Sequence, residues 1–200
     1  MKNLILSILI SITLFSCGPS TKIVKTWMEP GASVTQSAGN KTLVIALVKD
    51  EVSRRVIEDA LVKRFTGSAV ASYSLLFPDM LKEANEELLN KKLTEGKYSH
   101  VLIMRLADVE KETSYVPGTT SVVYGGYGRY YGYGAGFYSS PGYYSTSKNY
   151  FVETTVYSVN PNKLLWTGTT KTVDPSKINK AVNEIADVVS DKMKKEGFLK

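Results

Sequence analysis

The sequence predicts an α/β (or α+β) fold, with a mixed β-sheet, a strand-helix-strand-helix-strand core, a C-terminal β-hairpin and a terminal helix. Between residues 42 and 109, apolar runs alternate with segments that repeat apolar residues at helical spacing. That alternation is typical of parallel strands joined by right-handed helical crossovers. After residue 150, two runs rich in β-branched and aromatic residues flank a short turn. This second pattern predicts an antiparallel hairpin.

The first crossover begins at Thr42–Val48, a continuous apolar run expected to form a buried strand. Asp50 is predicted to cap the following helix, because its carboxylate can accept hydrogen bonds from unpaired amides of the first turn. The helix is expected to run from Glu51 to about Phe65 and to end before Gly67. Its apolar stripe is predicted to contain Val52, Val56, Ile57, Ala60, Leu61 and Phe65. Arg54 and Arg55, near its start, are expected at the surface.

The second crossover is predicted to begin with a strand at Ala69–Tyr73, which is followed by a helical region that starts at Pro78–Asp79. This region restarts at Asn85, places three leucines inward and ends at Gly96. The inward leucines are Leu88, Leu89 and Leu93. His100–Val109 is predicted as the third strand, and its apolar character on both faces indicates a central position in the sheet.

The predicted hairpin consists of Phe151–Val159 and Leu164–Val173, joined by a turn at residues 160–163. Pairing Val159 with Leu164 would place Tyr157 opposite Trp166, as an aromatic cross-strand pair. Asp174–Pro175 is expected to supply the N-cap and first residue of the last helix. Its apolar stripe is predicted to be Ile178, Val182, Ile185, Val189 and Met193, and Gly197 ends it.

The N-terminus is predicted to be a signal peptide over residues 1–16, with one basic residue, Lys2, before a short apolar core. The apolar stretch of twelve residues, from Leu4 to Phe15, spans about 18 Å as a helix, too short for a hydrocarbon core of about 30 Å. Leu14-Phe15-Ser16-Cys17 resembles a bacterial lipobox. The resemblance implies lipid attachment at Cys17, cleavage before it and N-acylation, for example by palmitate. The alternative is an ordinary signal peptide with a chance cysteine near its end.

After cleavage, residues 17–41 are predicted to be a lipidated tether, and residues 42–200 a single α/β domain. Within the tether, Lys22–Met28 contains Ile23, Val24 and Trp27, so a short edge strand is expected to dock on the domain. The net charge is +6, and the basic residues are interleaved with acidic ones, which argues against a nucleic-acid partner. One cysteine excludes an intramolecular disulfide, one histidine excludes a histidine-rich metal site, and no cofactor is expected.

A Tyr/Gly-rich insertion occupies about residues 113–148, because ten of the 13 tyrosines lie between residues 115 and 150. The insertion is interpreted as a flexible loop, with two alternatives: a ligand-binding surface, or membrane strands of an oligomeric pore. The candidate partner-binding aromatics are Tyr124, Tyr127, Tyr130, Tyr131 and Tyr133.

No nucleophile–base pair is recognisable, so no catalytic residue is assigned and an enzyme is not expected. Asp108, Glu110 and Glu112 share one face of the third strand and suit either a hard cation or a glycosidic bond, but a solvated strand end is the simpler interpretation. His100 is expected to be structural. Trp166 with Tyr157 is expected to be core packing, with a sugar-stacking platform as the alternative. Gly125-Gly126-Tyr127-Gly128 lacks the lysine of a phosphate-binding loop.

Four stretches together resemble uncharacterised bacterial lipoproteins. They are Leu43–Leu47 with Asp50 and Ser53–Arg55, then Tyr73–Pro78, Val156–Val159 and Lys163–Thr169. The resemblance implies a fold similar to the TolB N-terminal domain and the curli-secretion lipoprotein, and it brings no catalytic residues.

The expected protein is therefore an outer-membrane lipoprotein that faces the periplasm and acts as a binding or envelope-assembly module. Gly18, rather than an aspartate, follows Cys17, which favours the outer membrane by the enterobacterial sorting pattern. Its expected partners are membrane lipid, through Cys17, and an envelope protein or glycan. The alternative functions are a glycan-acting hydrolase of the cell envelope and an oligomeric secretion component.

Overall fold

The computed structural model describes residues 20–35, 39–65, 69–76, 86–123 and 136–200. A short 3₁₀ turn, Ser72–Ser74, follows the third strand. The strands and helices in chain order are β1 (Thr21–Met28), β2 (Lys41–Leu47), α1 (Glu51–Val62), β3 (Ala69–Ala71), α2 (Glu86–Glu95), β4 (Tyr98–Val116), β5 (Thr119–Val123), β6 (Gly136–Ser140), β7 (Tyr143–Ser158), β8 (Lys163–Val173) and α3 (Ile178–Lys195).

The described strands form a six-stranded mixed sheet in the order β1-β8-β7-β4-β2-β3, and β5 and β6 form a separate ladder. β2 pairs in parallel with both β3 and β4, as the crossover pattern predicts. β7 and β8 form the antiparallel hairpin, and β7 also pairs antiparallel with β4. The predicted mixed α/β class is confirmed, as are the central position of β4 and the edge strand around Trp27, which pairs with β8.

Helices lie on both faces of the sheet. On the first face, which we call the α1/α3 face, the core includes Val44, Leu61, Leu102, Trp166 and Val189. On the opposite α2 face, a smaller core includes Leu43, Ile45, Leu76, Leu93 and Val101. None of the helices within the described ranges is long and apolar enough to cross a membrane.

Helix α1 begins as predicted, because Asp50 Oδ2 accepts the backbone N–H of Ser53 at 2.7 Å. The helix ends at Val62, earlier than expected, and Val52 is 71% exposed instead of buried. Its inward face carries a charge pair in the place of part of the expected apolar stripe. Arg54 is only 2% exposed and Glu58 is fully buried, so the prediction that Arg54 lies at the surface is wrong.

The buried pair is stable because other elements supply its remaining hydrogen bonds. Glu58 accepts hydrogen bonds from Arg54 Nε at 3.1 Å, from the Ala46 N–H at 3.0 Å and from the Ser72 hydroxyl at 2.7 Å. It also accepts the N–H of Tyr73 at 2.9 Å. Arg54 Nη2 donates to Ser72 Oγ and to the carbonyl of Leu76. The pair therefore joins α1 to β2 and to the turn after β3.

The hairpin register differs from the predicted one. A bulge between Val156 and Tyr157 pairs Val156 with Trp166 and Tyr157 with Leu164, so the expected Tyr157–Trp166 pair is absent. Trp166 is fully buried on the α1/α3 face, where its ring lies over Gly168 and its Nε1 donates to Glu196 Oε2 at 2.7 Å. Burial excludes Trp166 as a sugar-stacking platform.

The last helix begins later than predicted, at Ile178, with Lys177 as its N-cap. Asp174 instead has a positive φ of 39°, and its Oδ1 accepts the backbone N–H of Lys148 at 2.7 Å. This hydrogen bond ties the end of β8 to β7, so the Asp174 carboxylate is engaged away from the helix start. The predicted stripe is buried from Val182 onward, and Gly197, at φ 74°, follows the helix end.

Candidate functional site

β4 and β7 continue outward past the end of β2 as a paired arm, which we call the ribbon and define as Asp108–Val116 paired with Tyr143–Phe151. The last residue of β4 that pairs with β2 is Arg105, and the last residue of β7 that pairs with β8 is Asn149. Farther out, no third strand within the described ranges joins them. The six residue pairs beyond Asn149, from Lys111–Lys148 to Val116–Tyr143, give a two-stranded stretch of about 20 Å at about 3.3 Å per residue.

A bulge marks the root of the ribbon. The register shifts between Leu106 and Asp108, so Ala107 has no partner on β7. A bulge of this kind bends a strand and increases its twist, which turns β4 away from the sheet. The side chains of β4 from Arg105 to Val116 are exposed.

One side of the ribbon, the basic face, continues the α1/α3 face of the sheet, because alternate residues of β7 from Val156 outward share that side. By register it carries Val109, Lys111, Thr113 and Tyr115 of β4 and Tyr144, Thr146, Lys148 and Tyr150 of β7. Lys111 lies directly opposite Lys148, and neither side chain forms an ion pair with a described residue. Two like charges opposite each other destabilise a strand pair.

The outer end of the basic face is aromatic. Tyr115 and Tyr144 lie 5.2 Å apart between ring centroids, and Tyr144 is 75% exposed. The Tyr115 ring lies over Gly142, where a β-carbon would collide with its hydroxyl and ring. The position of the Tyr115 ring therefore depends on a glycine in the connection that precedes β7.

The other side of the ribbon, the acidic face, carries the three predicted carboxylates on one face, as the period of two requires. Asp108 Oδ1 accepts the N–H of Val109, and Glu112 accepts from Asn149 Nδ2 at 3.0 Å. Lys171 Nζ lies 3.9 Å from Glu112. The carboxylates are exposed and line neither of the two cavities described below.

The metal interpretation of these carboxylates gains no support in the described part of the chain, which contains no group of three His, Cys, Asp or Glu side chains placed to hold a metal ion. The three side chains instead extend along a solvated strand, which is the simpler of the two sequence interpretations.

A cleft of about 410 Å³ opens where the parallel strands β2 and β4 end, between α1 and α3. Its polar lining residues are Lys49, Asp50, Ser53 and Arg105, and the other eight are apolar. The Ser53 side chain and backbone N–H both donate to Asp50 and hold the pKa of its carboxyl below the ordinary value. The cleft can hold an apolar group. The sequence interpretation did not find it, although the carboxyl ends of parallel strands are a common place for ligands.

A smaller cavity, about 250 Å³, lies on the α2 face between Leu89, Leu93, Val101 and Tyr157. His100 contributes to the lining of neither cavity. It is half-buried in β4, its Nδ1 has no hydrogen-bond partner in the described structure, and burial lowers its pKa.

Cys17 and the five candidate tyrosines, Tyr124, Tyr127, Tyr130, Tyr131 and Tyr133, lie outside the described residues. The ribbon that leads toward the tyrosines is described, and its aromatic residues are Tyr115, Tyr143, Tyr144, Tyr150 and Phe151. The sequence interpretation placed an insertion here, but it did not predict paired strands with two different faces.

No known protein family matches the sequence, and no curated protein matches it either. Among solved structures, the PelC dodecamer from Paraburkholderia phytofirmans aligns at 10% identity and a TM-score of 0.45, covering 85% of this chain and 95% of that one. Lipoprotein GNA1162 from Neisseria meningitidis aligns at 9% identity and a TM-score of 0.39, covering 78% of this chain and 99% of that one. The function proposed below rests on the residues of this chain.

Proposed function

We propose that this protein is a lipid-anchored lipoprotein of the bacterial envelope, and that it acts as a binding or assembly module whose contact arm is the ribbon. The observation that carries the proposal is that β4 and β7 continue together beyond β2 and β8 as a two-stranded stretch of about 20 Å, in which every β4 side chain is exposed. An isolated two-stranded ribbon is marginally stable in water, so a ribbon of this length is better explained by a partner than by folding alone.

The side chains of the ribbon support a contact role. Its exposed large apolar residues are Val109, Tyr115, Val116, Tyr143 and Tyr144. Tyrosine is enriched at protein interfaces, and its ring with a polar end also suits the faces of sugars. Beyond Lys148, whose backbone N–H and carbonyl are both bonded to Asp174, the two ribbon edges carry backbone groups that no described strand pairs, which adds hydrogen-bonding capacity.

The anchor in this proposal is Cys17, and the number of residues between it and β1 limits how far it can lie from the sheet. β1 begins at Thr21, four residues after Cys17. Four residues reach at most about 14 Å, so a lipid on Cys17 would hold the β1 edge close to the membrane surface. More than one acyl chain is needed for stable anchoring, which the lipobox resemblance implies.

Photocrosslinking in intact cells tests the ribbon. A photoreactive residue at Tyr144, 75% exposed, is expected to form specific adducts with an envelope protein or glycan. The matched control is the same residue at Val52, which is 71% exposed on α1. Equal adduct patterns at the two positions, or none at Tyr144, would contradict the contact role.

Cell fractionation tests the anchor. Cys17→Ser is expected to release the protein from membranes into the periplasmic fraction, because lipid attachment requires the thiol. Continued membrane association of the Cys17→Ser chain would show that lipidation is not the anchor. A chain that is not exported would contradict the prediction that residues 1–16 are a signal peptide.

A further inference from the structure

The two faces of the ribbon carry opposite charges at the same distance along the ribbon, and we call such a position a level. Lys111 and Lys148 oppose each other on the basic face, between the levels of Glu110 and Glu112 on the acidic face. Asp108 extends the acidic face toward the root. Farther out, Tyr115 and Tyr144 on the basic face lie at nearly the level of Val116 and Tyr143 on the acidic face.

Neither face is neutralised within the described chain. On the acidic face, Lys171 approaches Glu112 at 3.9 Å, which leaves Asp108 and Glu110 without a basic partner there. At the root of the basic face, the Asp174 carboxylate accepts the backbone N–H of Lys148 and forms no ion pair with the side chain of that lysine. Opposite charges exposed on two sides of one element give a surface that is complementary to another copy of itself.

We propose that the partner of the ribbon is a second copy of this chain, with the basic face of one ribbon stacked on the acidic face of the next. This inference rests on the proposed contact role of the ribbon and names its partner. When two copies point the same way, Lys111 and Lys148 of one meet Glu110 and Glu112 of the other. At the outer end, the tyrosine pair of one meets Val116 and Tyr143 of the other.

The alternative contacts bring like charges together. Two basic faces would place four lysines in one contact, and two acidic faces would place six carboxylates in one contact. Edge-to-edge pairing of copies that point the same way would align lysine beside lysine on one side and acid beside acid on the other. Only the stacking of unlike faces brings the two lysines of one copy against Glu110 and Glu112 of the other.

The proposed contact is heterologous, because two different surfaces meet. It therefore repeats from copy to copy and yields a ring or a filament rather than a two-fold dimer. All copies point in one direction in this arrangement, so their N-terminal ends lie on the same side. That direction is compatible with lipid anchors in a single membrane.

The test uses the purified full-length chain in detergent, with its mass measured by light scattering on a sizing column. The wild type is expected to elute as a multimer at low salt and to shift toward the mass of one copy in 1 M NaCl, where ionic contacts are screened over about 3 Å. A wild type that has the mass of one copy at every concentration overturns the proposal, even if crosslinking finds another partner for the ribbon.

Charge reversal tests the faces separately. Lys111→Glu with Lys148→Glu makes both faces acidic, and Glu110→Lys with Glu112→Lys makes both basic. Each double variant alone is expected to have the mass of one copy, and an equal mixture is expected to regain the multimer with the two chains in a 1:1 ratio. Circular dichroism of each variant establishes that the fold is retained.

The matched control is Lys194→Glu with Lys195→Glu, which changes the net charge equally at exposed positions of α3. This control is expected to stay multimeric. A mixture that remains at the mass of one copy, a reversed variant that still assembles alone, or a control that dissociates equally would each overturn the stacking of unlike faces.

Discussion

Buried charges are paired in the six-stranded sheet with its helices, which we call the body, whereas exposed charges are left unpaired on the ribbon. In the body, the buried Glu58 carboxylate receives hydrogen bonds from α1, β2 and the segment after β3, and its partner Arg54 is equally engaged. On the ribbon, Lys111 and Lys148 oppose each other with no described ion-pair partner. Charge that is fully paired within the chain contributes to the fold, whereas charge left unpaired on an exposed arm remains available for a second molecule.

The two regions also differ in what their large side chains contact. Trp166 is enclosed by the α1/α3 core, stacks near Phe198 at 6.3 Å between ring centroids and donates to Glu196. Tyr115 and Tyr144 contact each other, the Tyr115 ring also lies over Gly142, and more than half of each residue is exposed. Substitutions in the body are therefore expected to change the free energy of unfolding, and substitutions on the ribbon are expected to change association.

The largest effect is expected at the buried ion pair. Glu58→Ala removes the partner of a buried guanidinium and is expected to lower the free energy of unfolding by about 3–5 kcal/mol. Urea denaturation measures the change. The control is Glu95→Ala, which removes an exposed ion pair with Lys91 and is expected to cost less than about 1 kcal/mol. Equal effects of the two substitutions would show that the buried pair does not hold the body together.

A smaller loss is expected at Gly168, where a β-carbon would collide with the Trp166 ring. Gly168→Ala must displace a side chain in a closely packed core and is expected to cost about 1–3 kcal/mol. Gly39→Ala is the control, because no described atom other than those of its chain neighbours lies within 4 Å of the position of its β-carbon. Thermal unfolding of both variants measures the difference in their stability. A Gly168→Ala chain as stable as Gly39→Ala would mean that the indole has room to move.

A pH-dependent contribution is expected from Glu196. Burial alone would raise the pKa of its carboxyl, but hydrogen bonds from Trp166, Thr26 and Lys192 outweigh it and lower the pKa from its ordinary value of 4.5. Because the folded pKa is the lower one, this stability is present above about pH 5 and is lost as the pH falls through the folded pKa. As the pH falls from 7 to 3, the urea concentration at the midpoint of unfolding is expected to decrease less steeply in Glu196→Gln than in the wild type. Parallel curves would contradict the assignment.

The smallest effect on body stability is expected on the ribbon. Tyr115→Ala with Tyr144→Ala removes exposed side chains, so the free energy of unfolding is expected to change by less than about 0.5 kcal/mol. Loss of the ribbon contact with its partner is expected to be large in the same chain. A variant that unfolds like Glu58→Ala would show that the ribbon and the body form one cooperative unit.

Much of the fold follows from local patterns. The order of strands and helices, the Asp50 cap, the central position of β4 and the hairpin each depend on residues close together in the chain. The common face of Asp108, Glu110 and Glu112 also follows from the two-residue period of a strand. Periodicity and capping act over a few residues, so the sequence by itself is sufficient for these features.

Tertiary structure alone decided the burial of Arg54, the position of Trp166 and the pairing of Lys111 with Lys148 across the ribbon. The groups that satisfy Arg54 and Glu58 come from Ala46, Ser72 and other distant residues, which no helical pattern indicates. The bulge beside Val156 changed the hairpin register by one residue. Lys111 and Lys148 lie opposite each other because β7 pairs with β4 in this register. In each case the deciding partner lies far away in the chain, and the free energy depends on a contact that only folding creates.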